Sequence, residues 1–203
     1  MIIKLSINII SILLFITMSS VFGNDNKSNR IEVLVDEEII TKYDINQRVI
    51  INSILKRIEI NENNYNQLIK AVVDDLIIEK LKIQKINEYD IDIDEVELKQ
   101  NEKRFYSRNN YTKEEIKKLL SEYNINYNYI LEIIKIELKW QKLIYGLYLR
   151  ITSVTEQEVI DLVNKNPNIS KEIANDLILQ KQLDIKSTKL LNDLKNEATI
   201  EYK

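Results

Sequence analysis

The chain has no histidine and no cysteine among its 203 residues. That removes disulfides, thiolate chemistry, most zinc sites and every serine–histidine or cysteine–histidine mechanism. Glycine occurs twice and proline once. A sandwich, a barrel or a glycine-loop nucleotide fold needs more turn chemistry than this. No charge of one sign dominates: 29 basic residues face 32 acidic ones, a formal net charge of -3. Nucleic acid therefore finds no electrostatic footprint. Lys, Asp, Glu and Tyr remain for acid–base work, but no spacing of them forms a catalytic, metal or cofactor site. What is abundant is apolar surface, 44% of residues, with 30% charged. That supports a mostly helical chain with a sizeable core. Heavy use of Ile, Asn, Lys and Tyr follows an AT-rich codon bias, so abundance alone is a weak argument.

The first residues, "MIIKLSINIISILLFITMSSVFG", carry one early charge, Lys4, an apolar run from about Ile7 to Met18, and small residues toward Gly23. This layout predicts a secretory signal peptide over 1–23, cut after Gly23. The run is short for a bilayer span; an uncleaved anchor is the alternative. No cysteine follows it, which excludes a lipid-modified terminus. An exported, cysteine-free bacterial chain points to the periplasm, with no stable membrane insertion after cleavage.

The remainder, 24–203, reads as one domain. Ile31, Val33 and Val35 alternate, Asp36-Glu37-Glu38 turn, and Ile39-Ile40 resume, a small hairpin. Thr41 and Asp44 open a helix of about 17 residues. "INENN" reads as a break before a second helix over about Tyr65–Asn87. Asp94/Glu97, Thr112/Glu115 and Thr155/Glu158 have capping-box spacing and open three more. Asn126 caps a central helix toward Arg150. It carries two stripes: Ile133, Ile136, Trp140, Leu143, Leu147 and Ile151, and beside them Ile134, Leu138, Tyr145 and Tyr148. Two stripes require two partners. Ser170 caps a last long helix, with Ile173, Leu177, Leu183, Leu190, Leu191 and Leu194 among its apolar positions. Ala198 to Tyr202 then alternate as a strand, which must find a partner for its backbone groups. Tyr106, Tyr111, Tyr127 and Tyr129 fall near helix ends and read as half-exposed. Trp140 reads as core. Lys113, Glu114, Glu115, Lys117 and Lys118 read as a solvated face.

Three segments in order, "VLVDEEIITKYDINQRV", "IDIDEVELKQNEKRFYSRNNYTKEEIKKLLSEYNINYNYILEIIKIELKWQKLI" and "RITSVTEQEV", resemble the N-terminal region of the SurA family of periplasmic chaperones and peptidyl-prolyl isomerases. The likeness covers about residues 31–165. The tail "LILQKQLDIKSTKLLNDLKNEATIEYK", within 170–203, resembles the family's C-terminal helix and strand, which return to complete the same core. The resemblance implies a multi-helix fold with a small antiparallel sheet, in which the tail strand pairs with Ile31–Val35. Full-length relatives place parvulin-type isomerase domains between these segments. Here only about "VNKNPNIS" separates them, and parvulin sites use histidine, so no enzyme activity is expected. The implied function is that of an ATP-independent holdase binding unfolded outer-membrane protein segments, with Ile134, Leu138, Tyr145 and Tyr148 as candidate peptide-binding residues. Packing of those four under the returning helix is the alternative. The alternative functions are a non-catalytic structural or interaction subunit of an envelope complex, or an accessory to a separate isomerase. Mass spectrometry of the exported protein is expected to begin at Asn24; an intact Met1 establishes an anchor instead.

Overall fold

The computed structural model describes residues 29–203. The expected signal segment and its cut after Gly23 lie outside the described residues. The order is β1 (Ile31–Val35), β2 (Glu38–Thr41), α1 (Lys42–Lys56), α2 (Glu62–Asn87), α3 (Glu95–Asn109), α4 (Lys113–Glu122), α5 (Asn128–Tyr148), a 3-10 turn (Leu149–Ile151), α6 (Glu156–Lys165), α7 (Lys171–Glu197) and β3 (Ile200–Tyr202). The fold is mostly helical, with a three-stranded sheet in the order β2-β1-β3.

Local chemistry sets most helix starts. Thr41 accepts from the Asp44 N–H while Asp44 accepts from the Thr41 N–H, and the Asp94/Glu97, Thr112/Glu115 and Thr155/Glu158 pairs do the same. Each box satisfies two backbone donors that the first turn leaves without partners. Ser170 caps α7. The Asn126 side chain accepts from Asn128 N at 2.8 Å, at the head of α5.

The second helix starts earlier than its periodicity suggests. Asn61 accepts from the Asn63 and Asn64 N–H groups, and Asn64 Oδ1 accepts from Asn61 N at 2.9 Å. The segment that reads as a break is therefore the cap itself. Asparagine stands at both ends of this box, where the usual second member is Glu or Gln.

The tail strand pairs antiparallel with β1: Val33 faces Tyr202, Leu34 faces Glu201 and Val35 faces Ile200. The strand begins at Ile200 rather than Ala198, because Thr199 is taken by the hairpin turn. Asp36 sits in the left-handed region at φ 52. Its N–H donates to Thr199 O, and its Oδ1 accepts from Thr199 N, both at 2.8 Å. Aspartate tolerates this backbone better than most residues, so one residue both turns the hairpin and holds the tail.

The core has three parts. Val33, Val35 and Ile40 of the sheet meet Ile45 and Val49 of α1 and Val72, Leu76, Ile77 and Leu81 of α2, with Leu194 and Ile200 packed alongside. Ile31 and Ile39, by contrast, are substantially exposed. A second cluster joins Ile51, Tyr106, Ile116, Leu120, Ile125, Ile130 and Ile134. A third joins Ile86, Trp140, Leu143, Ile144 and Leu183. The central helix α5 thus serves two partners in succession along its length, not through two parallel stripes. Ile151, placed in the inner stripe by periodicity, lies past the end of the α-helix and is 70% exposed.

Deleting Ala198 to Lys203 is expected to lower the melting temperature by roughly 5 °C or more, since several ladder hydrogen bonds and the Ile200 contact are lost. Asp36→Gly, which keeps the backbone angle, should cost about 1 kcal/mol, and Asp36→Ala about 1 kcal/mol more. Chemical denaturation of the three variants measures this. Equal stability of all three and wild type would mean that the tail does not close the sheet.

Candidate functional site, a groove along the central helix

One face of α5 carries Ile134, Leu138, Gln141 and Tyr145, at spacings of four, three and four residues. This face floors two adjoining depressions. The larger, of about 480 Å³, runs between α5 and α7, with Trp140, Ile144, Tyr145 and Gly146 on one side and Gln180, Leu183 and Asp184 on the other. The smaller, of about 200 Å³, runs between α3 and α5 and includes Phe105, Ile133, Ile134 and Leu138. Leu138 and Gln141 belong to both, so the two depressions adjoin along the helix.

The flanking helices are pinned by polar ties. Trp140 Nε1 donates to Ser187 Oγ at 2.8 Å, which locks α5 to α7. Lys142 Nζ donates to both Glu97 oxygens, at 3.0 and 2.7 Å, which locks α5 to the first turn of α3. Glu97 also serves the capping box of α3, so the helix start and the groove wall share one carboxylate. Gly146 lies in the groove wall, and a Cβ added there would meet nothing within 4 Å.

The four candidate residues divide. Ile134 is 4% exposed and belongs to the second core cluster; Leu138 is 8% exposed. Both form floor rather than contact surface. Tyr145 is 52% exposed and stands in the wall of the larger depression. Tyr148 is half-buried and packs in the cluster that contains Leu183 and Leu190 of α7, outside both depressions. Ile173 and Leu177, two of the apolar positions of α7, are about half exposed. They fall at helical spacing with Gln180, Asp184 and Ser187, but neither lines the depression. The polar members, Gln141, Gln180, Asp184 and the Glu97–Lys142 pair, escape sequence reading. Their apolar intervals carry no signal until α3 and α7 are set beside α5.

The most concentrated titratable cluster lies elsewhere. Glu102 Oε1 accepts from Lys113 Nζ at 2.7 Å, from Tyr106 OH at 3.2 Å and from Tyr127 OH, and the two phenols also touch. Burial pushes the Glu102 carboxyl up, but the Lys113 and Tyr127 hydrogen bonds outweigh it and hold the group below its ordinary 4.5. Burial, with the Glu102 charge, raises Tyr106 to about 12 and raises Tyr127 as well. Neither phenol can serve as a base near neutral pH. The cluster is a knot joining α3, α4 and the start of α5. It corrects two expectations: Tyr106 is buried, and Lys113 is the partner of a buried carboxylate rather than part of a solvated face. A second buried pair, Arg48 Nη2 with both Glu79 oxygens at 2.9 and 2.7 Å, ties α1 to α2, with the Tyr129 ring 5.5 Å from the guanidinium. Among the described residues no acidic group of three or more could hold a metal ion, and no helix is long and apolar enough to cross a membrane.

Residues 28–144 match the family model of the SurA N-terminal domain, more than half of the chain. The chain belongs to the SurA N-terminal domain family. The matched span covers the sheet hairpin and α1 to most of α5; Tyr145, α6, α7 and β3 follow it. Among solved structures, a chain described as one of two structurally related SurA-like chaperones of the human pathogen Campylobacter jejuni, the virulence factor PEB4 and the periplasmic protein Cj1289, aligns at 16% identity. The alignment covers 86% of this chain and 99% of that one, with a TM-score of 0.42. No curated protein matches the sequence.

The knot gives a pH prediction. A carboxyl whose folded-state pKa is depressed adds stability that is complete above its unfolded value and is lost as pH falls through the folded one. Glu102→Gln should therefore lower stability by about 1–3 kcal/mol near pH 7. The gap to wild type should shrink below about pH 4.5. Urea denaturation at pH 7 and pH 3.5 reads it; a gap independent of pH would show that the carboxylate charge is not what the knot uses.

Proposed function

We propose that this chain, after loss of residues 1–23, is a periplasmic, ATP-independent holdase for unfolded outer-membrane proteins and works without an isomerase module of its own. Membership of the SurA N-terminal domain family supports a chaperone role in general. The observation that carries the finer reading is the pair of adjoining depressions along α5. The larger has an apolar floor at Leu138 and Ile144, an exposed aromatic at Tyr145, and Leu183 on the facing wall of α7.

Such a surface suits extended segments with scattered apolar side chains. Burial returns roughly 25 cal/mol per Å² of apolar surface, so a few side chains give several kcal/mol. Ordering a flexible client takes back a good part of it. The balance is weak, reversible binding, of about micromolar strength. That is tight enough to delay aggregation and loose enough to release a client without a nucleotide cycle. The sequence offers no phosphate-binding loop to drive one. Unfolded porin-like strands, which alternate apolar and polar residues, match the mix of apolar floor and amide walls.

Gly146 provides the test, because its open face admits a side chain without displacing the core. Gly146→Trp is expected to fill the larger depression and weaken binding of an unfolded porin about tenfold or more, the equivalent of one buried apolar side chain. Gly146→Ala should leave binding unchanged and stabilise the helix by about 0.5–1 kcal/mol. Light scattering of a diluted unfolded porin, with and without each variant, measures both. If wild-type protein neither binds the porin nor slows its aggregation, the holdase reading fails. If Gly146→Trp holds the porin as well as wild type, the groove is not where it binds.

A further inference from the structure

The smaller depression differs from the larger in charge. Its α3 wall carries Arg104 and Arg108, one turn apart and therefore on one face, with Asn101 and Asn109 beside them. Among the described residues neither arginine takes part in an ion pair or a side-chain hydrogen bond, although most of the acidic residues nearby are engaged. Glu137, the one acidic residue of the depression, is paired with Lys82. Glu97 is held by Lys142, and Glu102 by Lys113. Arg108 stands in the last turn of α3, where the helix dipole favours a cation. Arg104, a turn earlier, has no such reason to be there. The same depression is lined by the apolar Phe105, Ile133, Ile134 and Leu138.

We propose that this end of the groove receives the C-terminal residue of a client chain, its terminal carboxylate on Arg104 and Arg108 and its apolar side chain on the floor between α3 and α5. The occupant follows from the pairing of two features within one small depression. Guanidinium groups bind carboxylates through paired, charge-assisted hydrogen bonds. An internal apolar residue has no charge to offer, and an internal Asp or Glu has no apolar group to place on the floor. Only the last residue of a chain carries a carboxylate and an apolar side chain on the same Cα. Leu138 and Gln141 line both depressions, so the preceding residues would run along α5 toward the larger one. This inference rests on the client-binding reading and adds a polarity to it: the client enters with its C-terminus toward α3.

The test uses the full mature chain and a fluorescent ten-residue peptide of alternating apolar and polar residues ending in Phe, as the free acid and as the C-terminal amide. Fluorescence anisotropy is expected to show the acid binding about tenfold more tightly than the amide, the size of one or two charge-assisted hydrogen bonds. In the double variant Arg104→Gln, Arg108→Gln, whose exposed positions leave the fold intact by melting temperature, the acid should fall to the affinity of the amide. A free acid ending in Ser should also lose affinity on wild type, because the floor is left uncovered. Equal binding of acid and amide to wild type overturns the proposal and leaves the holdase reading standing. A preference for the acid that survives in the double variant overturns it too, since another group then reads the charge. If neither Phe-ending peptide binds wild type, this inference fails; if unfolded porin is also not held, the holdase reading falls with it.

Discussion

The sheet is closed by a strand that arrives from the far end of the chain, and the rest of the structure depends on that closure. β1 is the middle strand, with β2 on one edge and β3 on the other. Without β3, the backbone groups of Glu32, Leu34 and Asp36, which alternate with the buried Val33 and Val35, would face an open edge. The Asp36–Thr199 exchange and the Ile200 contact fix where the tail ends. Fixing the end of the tail fixes the 27-residue helix that precedes it. That helix is one wall of the larger depression, so the pairing of three residues at the terminus positions the groove between α5 and α7.

The central helix translates this constraint into a surface. Its first half is buried among α1, α3 and α4, its second half among α2 and α7. Between the two lies a face that no neighbour fully covers, flanked by α3 and α7, each tied to α5 by its own hydrogen bond, Glu97–Lys142 and Trp140–Ser187. These ties lie at the groove and are directional. Apolar contact alone would let the helices close together, and hydrogen bonds of fixed length set their spacing. The groove is therefore a consequence of how two helices are anchored, and its chemistry is a mixture of apolar floor and polar walls for the same reason.

Much of the fold was legible in the residue order. Thr41, Asp94, Thr112, Thr155 and Ser170 each announce a helix, because a capping side chain acts on donors two or three residues away and needs nothing else. The Asn61 cap was missed because asparagine also marks breaks, and the same amide serves either purpose. The candidate stripe Ile134, Leu138, Tyr145 and Tyr148 has correct helical spacing, yet periodicity could not say that the first two lie in core and floor, the third in a wall and the fourth under α7. Glu102 gave no warning at all. A glutamate in a charged helix looks solvated until Tyr106, Lys113 and Tyr127 converge on it from three elements.

The sequence by itself determined the number of the helices and most of their starts, the hairpin and the strand-forming character of the tail. Those features rest on interactions spanning a few residues, and such interactions are the same whatever surrounds them. The tertiary structure alone decided that Asp36 clasps Thr199, that α5 changes partners midway, that Ile173 and Leu177 remain exposed, and that Arg104 and Arg108 share a depression with apolar residues. Each of these depends on groups brought together from separate elements, some of them more than 100 residues apart. Burial and charge pairing are properties of that assembled neighbourhood, and a local pattern of apolar and polar residues does not contain it.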